Sequence, residues 1–184
     1  CAAARILKKP GAVLVLEGNQ KLGRKLLATG NGRCNLTNLA APPAHYHGDV
    51  SAAEPLLAAY TPDAVRGVFR DLGLVTKPDG EGRVYPRSGQ AAAVLAALRG
   101  CAEAYGVSCR IGAPVTGIRK TKRGFLLSGA EGDTVEAAPC ILACGRAAPP
   151  EHPCGHASAL ATPPRPTAHP RHPPLPPPPR PRHT

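Results

Sequence analysis

A glycine-rich, basic stretch from Lys21 to Asn38, KLGRKLLATGNGRCNLTN, holds the residues of this chain best suited to chemistry. Three glycines alternate there with cations and with small hydrogen-bonding side chains. Glycine lets the main chain adopt positive φ and bring its N–H groups close to an anion. The cations would neutralise that anion, and the amides and hydroxyl would orient it. The stretch therefore predicts a loop wrapped around a phosphorylated ligand, with a solvated basic surface loop as the alternative.

The residues before this loop match half of a dinucleotide-binding unit. Residues 2–9 predict a helix that the following Pro-Gly ends, and residues 12–16 predict a short, buried parallel strand closed by Glu17. An acid at the end of such a strand binds the ribose hydroxyls of an adenine nucleotide. Glu17 stands at that position, with a solvated strand-end carboxylate as the alternative. The phosphate-binding glycine loop of the unit would precede Cys1, and the chain, which contains no methionine, is interpreted as a fragment.

Helix and strand patterns follow the loop. Thr61 is predicted to cap a helix that ends at Gly73, and residues 74–86 are predicted to form a hairpin. Ser88 is predicted to cap a second helix that ends at Gly106.

From residue 107 the hydrophobic period shortens to two, which predicts consecutive short strands. The last of them, CILAC at 140–144, is apolar throughout and is therefore predicted to be central and buried.

The composition changes at Arg146. Residues 149–184 hold most of the 23 prolines and most of the seven histidines, with almost no acid. Such a segment cannot bury a core, so it is predicted to be disordered or polyproline II. The run LPPPPR at 175–180 would suit an SH3-type domain, although a frameshift product is the interpretation that we favour.

The composition also indicates which partners and which cellular compartment to expect. The net charge of +11 lies partly in the tail, aromatic content is 3% and no basic helix is visible, so nucleic acid is not expected as a partner. No apolar run of membrane-spanning length and no signal peptide is present. The seven irregularly spaced cysteines predict reduced thiols in a cytoplasmic protein. The alternative function is a basic Pro-rich interaction protein that binds SH3-like domains or nucleic acid through its tail.

Two sets of histidine and cysteine side chains resemble metal ligands, and neither predicts a site. His45 and His47 lack a third ligand nearby. The second set, Cys140, Cys144, Cys154 and His156, crosses the compositional break at Arg146.

The unbroken segment Gly23–Asn38, with GRVYPRS at 82–88 and ILACG at 141–145, resembles the BaiN-type flavoproteins. These are bacterial FAD-dependent oxidoreductases, also described as aminoacetone oxidase family FAD-binding enzymes. The resemblance covers residues 1 to about 145. It implies an α/β fold, in which residues 1–145 form a partial Rossmann-like FAD-binding domain that has a β-meander but lacks its first strand and glycine loop. The Pro-rich segment at 146–184, predicted from its composition to be disordered, follows this domain. It also implies flavin-mediated hydride transfer on a small organic substrate, with NAD(P)H as the candidate electron donor.

The resemblance further implies which residues contact FAD. Glu17 would hold the adenosine ribose, and Val115 would meet adenine through backbone atoms. Ala143 and Gly145 would form a turn against the cofactor. The remaining contacts would come from the glycine-rich stretch, from Gly23, Arg24, Lys25, Thr29, Gly30, Asn31, Gly32, Arg33, Cys34, Asn35, Thr37 and Asn38. No catalytic residue is assigned; Tyr85 is a candidate proton donor, with packing in the hairpin as the alternative.

Overall fold

The structure, a computed structural model, describes residues 2–42, 45–46, 50 and 53–144, which fall into two compact units. The first unit contains residues 2–15 and 22–108, and the second contains residues 16–21 and 109–144. The predicted Pro-rich tail at 146–184, His47 and Gly145 lie outside the described residues.

The chain alternates short helices and strands. In order, the elements are α1 (Ala2–Leu7), β1 (Leu14–Leu16), α2 (Arg24–Ala28), β2 (Thr37–Asn38), α3 (Glu54–Ala59), α4 (Pro62–Asp71), β3 (Thr76–Pro78), β4 (Arg83–Pro86), α5 (Ala91–Ala104), β5 (Ser108–Arg110), β6 (Val115–Thr121), β7 (Gly124–Gly129) and β8 (Thr134–Ala137). None of the helices in the described ranges is long and apolar enough to cross a membrane.

The strands form three small sheets. β1 pairs with β5, and the bonded residues rise together along both strands, from Ser108 N–Val13 O at 3.0 Å to Glu17 N–Arg110 O at 2.9 Å, so the pair is parallel. β2, β4 and β3 form an antiparallel sheet, and β6, β7 and β8 form an antiparallel meander. The α/β class and the β-meander are thus confirmed.

The core of the first unit lies between α5 and the glycine-rich stretch. Val94 and Ala91 on α5 are 1% and 2% exposed, and they cluster with Cys34 and Leu74. Burial of a valine side chain stabilises a fold by about 1.5–3 kcal/mol. The same helix face carries Cys101, which is 9% exposed. The core therefore holds the candidate ligand loop directly against a helix.

Two predicted helix starts have different outcomes. The Thr61 hydroxyl accepts a hydrogen bond from Ala64 N at 3.2 Å, which confirms Thr61 as the N-cap of α4. Ser88 is not the cap of α5; the N-cap is Gln90. The chain is still in a turn at Gly89, whose N–H donates to Pro86 O at 2.8 Å and whose φ is +68°, so the helix begins only after it.

Two apolar runs are less buried than the sequence predicts. Val15 in β1 is 39% exposed. Residues 140–144 form no strand, and Ile141 is 78% exposed. A strand exists only where a neighbouring strand satisfies its backbone groups. Across the part of the chain that the structure describes, no backbone group bonds to residues 140–144. An apolar composition alone therefore did not make this segment a strand.

The predicted hairpin is confirmed as β3 and β4, and Asp79 holds its turn. The Asp79 carboxylate accepts from Glu81 N at 3.0 Å, from Arg83 N at 2.9 Å and from Arg83 Nε at 2.8 Å. Burial by itself would raise the pKa of Asp79, but the hydrogen bonds from the Arg83 side chain and the two backbone N–H groups outweigh it. The pKa of Asp79 is therefore below its ordinary value of 3.8.

Because of Asp79 in this turn, part of the free energy of unfolding depends on pH. Because the folded-state pKa of Asp79 is lowered, its contribution is fully present above the ordinary value of 3.8 and is lost as the pH falls through the folded-state pKa. We expect the free energy of unfolding, measured with urea from pH 6 to pH 2, to fall more steeply in the wild type than in Asp79→Asn. The control is Glu131→Gln at an exposed turn position; if it flattens the profile as much as Asp79→Asn, the effect does not come from this turn.

Candidate functional site

The loop at residues 29–35 has an unusual backbone. Gly30, Asn31, Gly32 and Cys34 all have positive φ, at +56°, +54°, +78° and +60°. Glycine adopts this region freely and asparagine tolerates it, but a buried cysteine does so only when its surroundings hold it there. The 29–35 loop is thus a defined conformation that its neighbours maintain.

Hydrogen bonds close the 29–35 loop on itself. The Thr29 carbonyl accepts from Gly32 N at 3.1 Å and from Cys34 N at 3.0 Å. The Thr29 hydroxyl donates to Leu26 O at 2.7 Å, at the end of α2. Ala91 N donates to Gly32 O at 2.8 Å, which ties the loop to the start of α5. These hydrogen bonds hold the loop in one closed conformation.

The glycines of this region have separate physical roles. A Cβ on Gly30 would lie 2.8 Å from Asn35 N and 3.2 Å from Cys34 N, so the backbone of the loop itself excludes a side chain there. A Cβ on Gly23 would lie 2.5 Å from Leu95 Cδ1 on α5, so Gly23 allows α2 to approach that helix. A Cβ on Gly32 would meet nothing within 4 Å. Gly32 therefore marks the open side of the loop, where a ligand could approach the backbone.

Arg33 is held on the hairpin by Tyr85. Its guanidinium lies 4.4 Å from the centroid of the Tyr85 ring, and Nη2 donates to the Tyr85 hydroxyl at 3.4 Å. Arg33 Nε donates to Gly30 O at 3.4 Å. Tyr85 is only 6% exposed. The structure thus gives Tyr85 the packing role that was the alternative to proton donation, and it fixes a positive charge beside the loop.

Several groups of the loop remain available to a ligand. The N–H groups of Gly30, Asn31 and Asn35 donate to no acceptor among the described residues. Arg24 and Lys25 on α2 are exposed. Free N–H donors and cations on one short segment are the groups that phosphate oxygens need. The residues present therefore fit an anionic ligand such as the pyrophosphate of FAD.

Other predicted contacts have groups that the fold already uses. The Cys34 thiol lies in the core cluster with Leu74 and Val94. The Asn38 carboxamide oxygen accepts from Ala40 N at 2.8 Å, and Thr37 pairs with Val84 in the β2–β4 ladder.

In the second unit, Glu17 forms a small polar cluster with Asn19. One carboxylate oxygen of Glu17, Oε1, accepts from Asn19 N at 2.8 Å and from Asn19 Nδ2 at 2.6 Å. The other oxygen accepts no hydrogen bond from the described residues. Sequence reasoning missed Asn19, although an Asx residue two positions after an acid is a turn signal. A positioned carboxylate with one free oxygen fits a ribose hydroxyl.

Two further predicted FAD contacts, Val115 and Ala143, belong to the second unit. Val115 is half-buried at the start of β6, where it lines a small cleft with Leu16 and Pro114. Ala143 is exposed and belongs to no element. In the described ranges, no group of three metal-ligating side chains comes together.

A Rossmann-like α/β fold is the architecture of dinucleotide-binding domains. The family profile described as HI0933-like protein Rossmann domain matches residues 1–159. The chain belongs to this family, and the resemblance to the BaiN-type flavoproteins is confirmed. At the family level these proteins are flavin-dependent oxidoreductases.

Two curated relatives are similar to parts of the chain. The 3-dehydro-bile acid delta(4,6)-reductase of Clostridium scindens is 41% identical over 134 residues, which is 72% of this chain and 32% of the relative. The ribosomal RNA dihydrouridine synthase of Haemophilus influenzae is 48% identical over 44 residues, which is 24% of this chain and 11% of the relative. The chain therefore spans at most about a third of the length of these relatives.

Proposed function

We propose that this chain supplies part of the FAD site of an oxidoreductase. The observation that carries the proposal is the 29–35 loop, which has free N–H groups at Gly30, Asn31 and Asn35 and open space around Gly32. Positive side chains at Arg24 and Lys25 would neutralise the pyrophosphate. Glu17, with one carboxylate oxygen free, would accept a hydrogen bond from the adenosine ribose.

The reaction that we propose is flavin-mediated hydride transfer on a small organic substrate. When bound, FAD supplies the redox chemistry, and the protein binds it, orients it and sets the charge around it. One of the two relatives is a reductase, and the other is a synthase of dihydrouridine, which carries two hydrogens more than uridine. This supports substrate reduction as the direction. NAD(P)H is the electron donor that we propose for it.

The compartment that we propose is the cytoplasm. All the cysteines that the structure describes, Cys34, Cys101, Cys109, Cys140 and Cys144, are free thiols. Reduced thiols are the usual state of cysteines in a reducing compartment.

FAD binding tests the proposal directly. The full chain is incubated with FAD and passed through gel filtration, and co-eluting absorbance near 450 nm is expected, on the order of one FAD per chain. Gly32→Ala is expected to weaken FAD binding about tenfold or more, because its methyl group would stand on the open face of the loop.

Gly73→Ala is the matched control. Gly73 has φ +80° and Gly32 has φ +78°, and neither has an atom within 4 Å of the added Cβ, so both variants carry the same backbone strain. Gly73 lies after α4, outside the loop, and Gly73→Ala is expected to bind FAD like the wild type. Equal loss in both variants would show that strain, and not ligand contact, is responsible. A colourless wild-type protein would contradict the proposal for this chain.

A further inference from the structure

The tip of the β6–β7 hairpin carries a dense cluster of positive charge. Its residues, here called the basic tip, are Arg119, Lys120, Lys122 and Arg123, with Thr121 between them. Thr121 pairs with Gly124, so the turn itself contains only Lys122 and Arg123. All four cations are exposed. A two-residue turn is short and stiff, and it therefore presents these charges at fixed positions.

No carboxylate of the described residues forms an ion pair with the basic tip. The cross-strand partner of Arg119 is Leu126, and that of Lys120 is Phe125. Glu136 is one strand further away on β8, opposite Leu126. In the described part of the chain, none of the four cations forms an ion pair.

Apart from Glu136, which lies at the same end of the meander as the basic tip, the acids and the cations of the meander are separated along its length. Its other acids, Glu131 and Asp133, lie in or beside the β7–β8 turn. Successive turns of a meander lie at opposite ends of the strands, so this acidic turn is remote from the basic tip. Like charges packed at one tip repel each other, and a polyanion that spans them relieves that repulsion.

We infer that the basic tip is a binding surface for the phosphate backbone of nucleic acid. Residues 119–123 contain no apolar side chain that could enter a membrane interface, so an anionic lipid surface suits them less. A groove of about 240 Å³ lies beside the tip and is lined by Thr121, Arg123, Phe125 and Glu136. The sequence argued against nucleic acid because it has no basic helix; the hairpin supplies the cations instead. This surface is additional to the proposed FAD site and stands independently of it.

Binding of nucleic acid through the basic tip should depend on salt concentration in a predictable way. Each neutralised phosphate releases a counterion, so the logarithm of the binding constant falls with the logarithm of salt, by about 0.7 per contact on a single strand. Four phosphate contacts would therefore contribute about 3 to the slope of the logarithm of the binding constant against the logarithm of the salt concentration. Binding should show little sequence preference, because phosphates carry no sequence information.

The test measures fluorescence anisotropy of a labelled, unstructured single-stranded RNA with the full chain at several salt concentrations. The tip variant replaces Arg119, Lys120, Lys122 and Arg123 with glutamine. Its affinity is expected to fall at least about tenfold at low salt, and its salt slope is expected to fall by about 3. A turn variant, Lys122→Gln with Arg123→Gln, changes only exposed turn residues and is expected to lose about half of that slope, with an unchanged far-UV circular dichroism spectrum.

The matched control removes the same charge elsewhere. It replaces four exposed cations of the first unit, Lys9, Arg70, Lys77 and Arg87, with glutamine. This control is expected to stay within about twofold of the wild type in affinity. The inference is overturned if the wild type does not bind the RNA, or if the tip variant and the control weaken equally. It is also overturned if the wild type binds vesicles of anionic lipid through the tip more tightly than RNA.

Discussion

Gly30→Ala is expected to lower the free energy of unfolding by about 2–4 kcal/mol. The left-handed backbone at φ +56° costs an alanine about 1–2 kcal/mol. In addition, the new Cβ would lie 2.8 Å from Asn35 N and 3.2 Å from Cys34 N, and both are backbone atoms that cannot rotate away. The loop would have to open, and Cys34 would be drawn from its place in the core.

Urea unfolding followed by circular dichroism measures this effect, with the m-value checked for two-state behaviour. Gly32→Ala and Gly73→Ala are the controls, because both positions have positive φ with open space around the Cβ. We expect these two variants to lose only the strain term of about 1–2 kcal/mol. A Gly30→Ala variant no less stable than Gly73→Ala would mean that the loop is not closed in solution as the structure shows.

The second large effect is expected at Tyr85, where truncation to alanine should cost about 3–5 kcal/mol. The side chain is 6% exposed, next to the fully buried Val84 and Pro86 of the same strand. Its removal would leave a cavity and would release the Arg33 guanidinium that lies over the ring. The contact between Tyr85 of the hairpin and Arg33 of the 29–35 loop would be lost.

A series at this position separates the contributions. Tyr85→Phe keeps the ring beneath Arg33 and removes only the hydroxyl, so it should cost about 1 kcal/mol. Tyr85→Leu keeps much of the volume and removes the cation–π contact, which at an exposed cation contributes about 0.5–1 kcal/mol. If Tyr85→Phe destabilised the chain as much as Tyr85→Ala, the hydroxyl and not the ring would hold the site, contrary to the geometry.

The two effects connect stability with the proposed function. Gly30 and Tyr85 shape the loop without offering it a ligand-binding side chain, whereas Gly32 leaves its face open. Stability should therefore respond most to Gly30 and Tyr85, and FAD affinity should respond most selectively to Gly32. This separation is what the urea and gel-filtration experiments would test together.

The sequence by itself determined the elements whose signals are local. The Thr61 cap and the hairpin over residues 74–86 both depend on neighbours within a few residues, and both were predicted. The glycine and cation pattern of the 29–35 loop was also visible, because it is contiguous in the chain. The family membership followed from the same contiguous segment.

Tertiary structure alone decided the features that depend on distant partners. The contact between Arg33 and Tyr85 joins residues 52 positions apart, and nothing in the sequence pairs them. The burial of Cys34 and the exclusion of a side chain at Gly30 depend on how the loop folds against itself and α5. Residues 140–144 were predicted as a strand from composition, but strand formation requires hydrogen bonds from a neighbour, and composition does not specify that neighbour. Local propensity thus fixed which residues could form the site, and long-range packing decided which of their atoms remain free for a ligand.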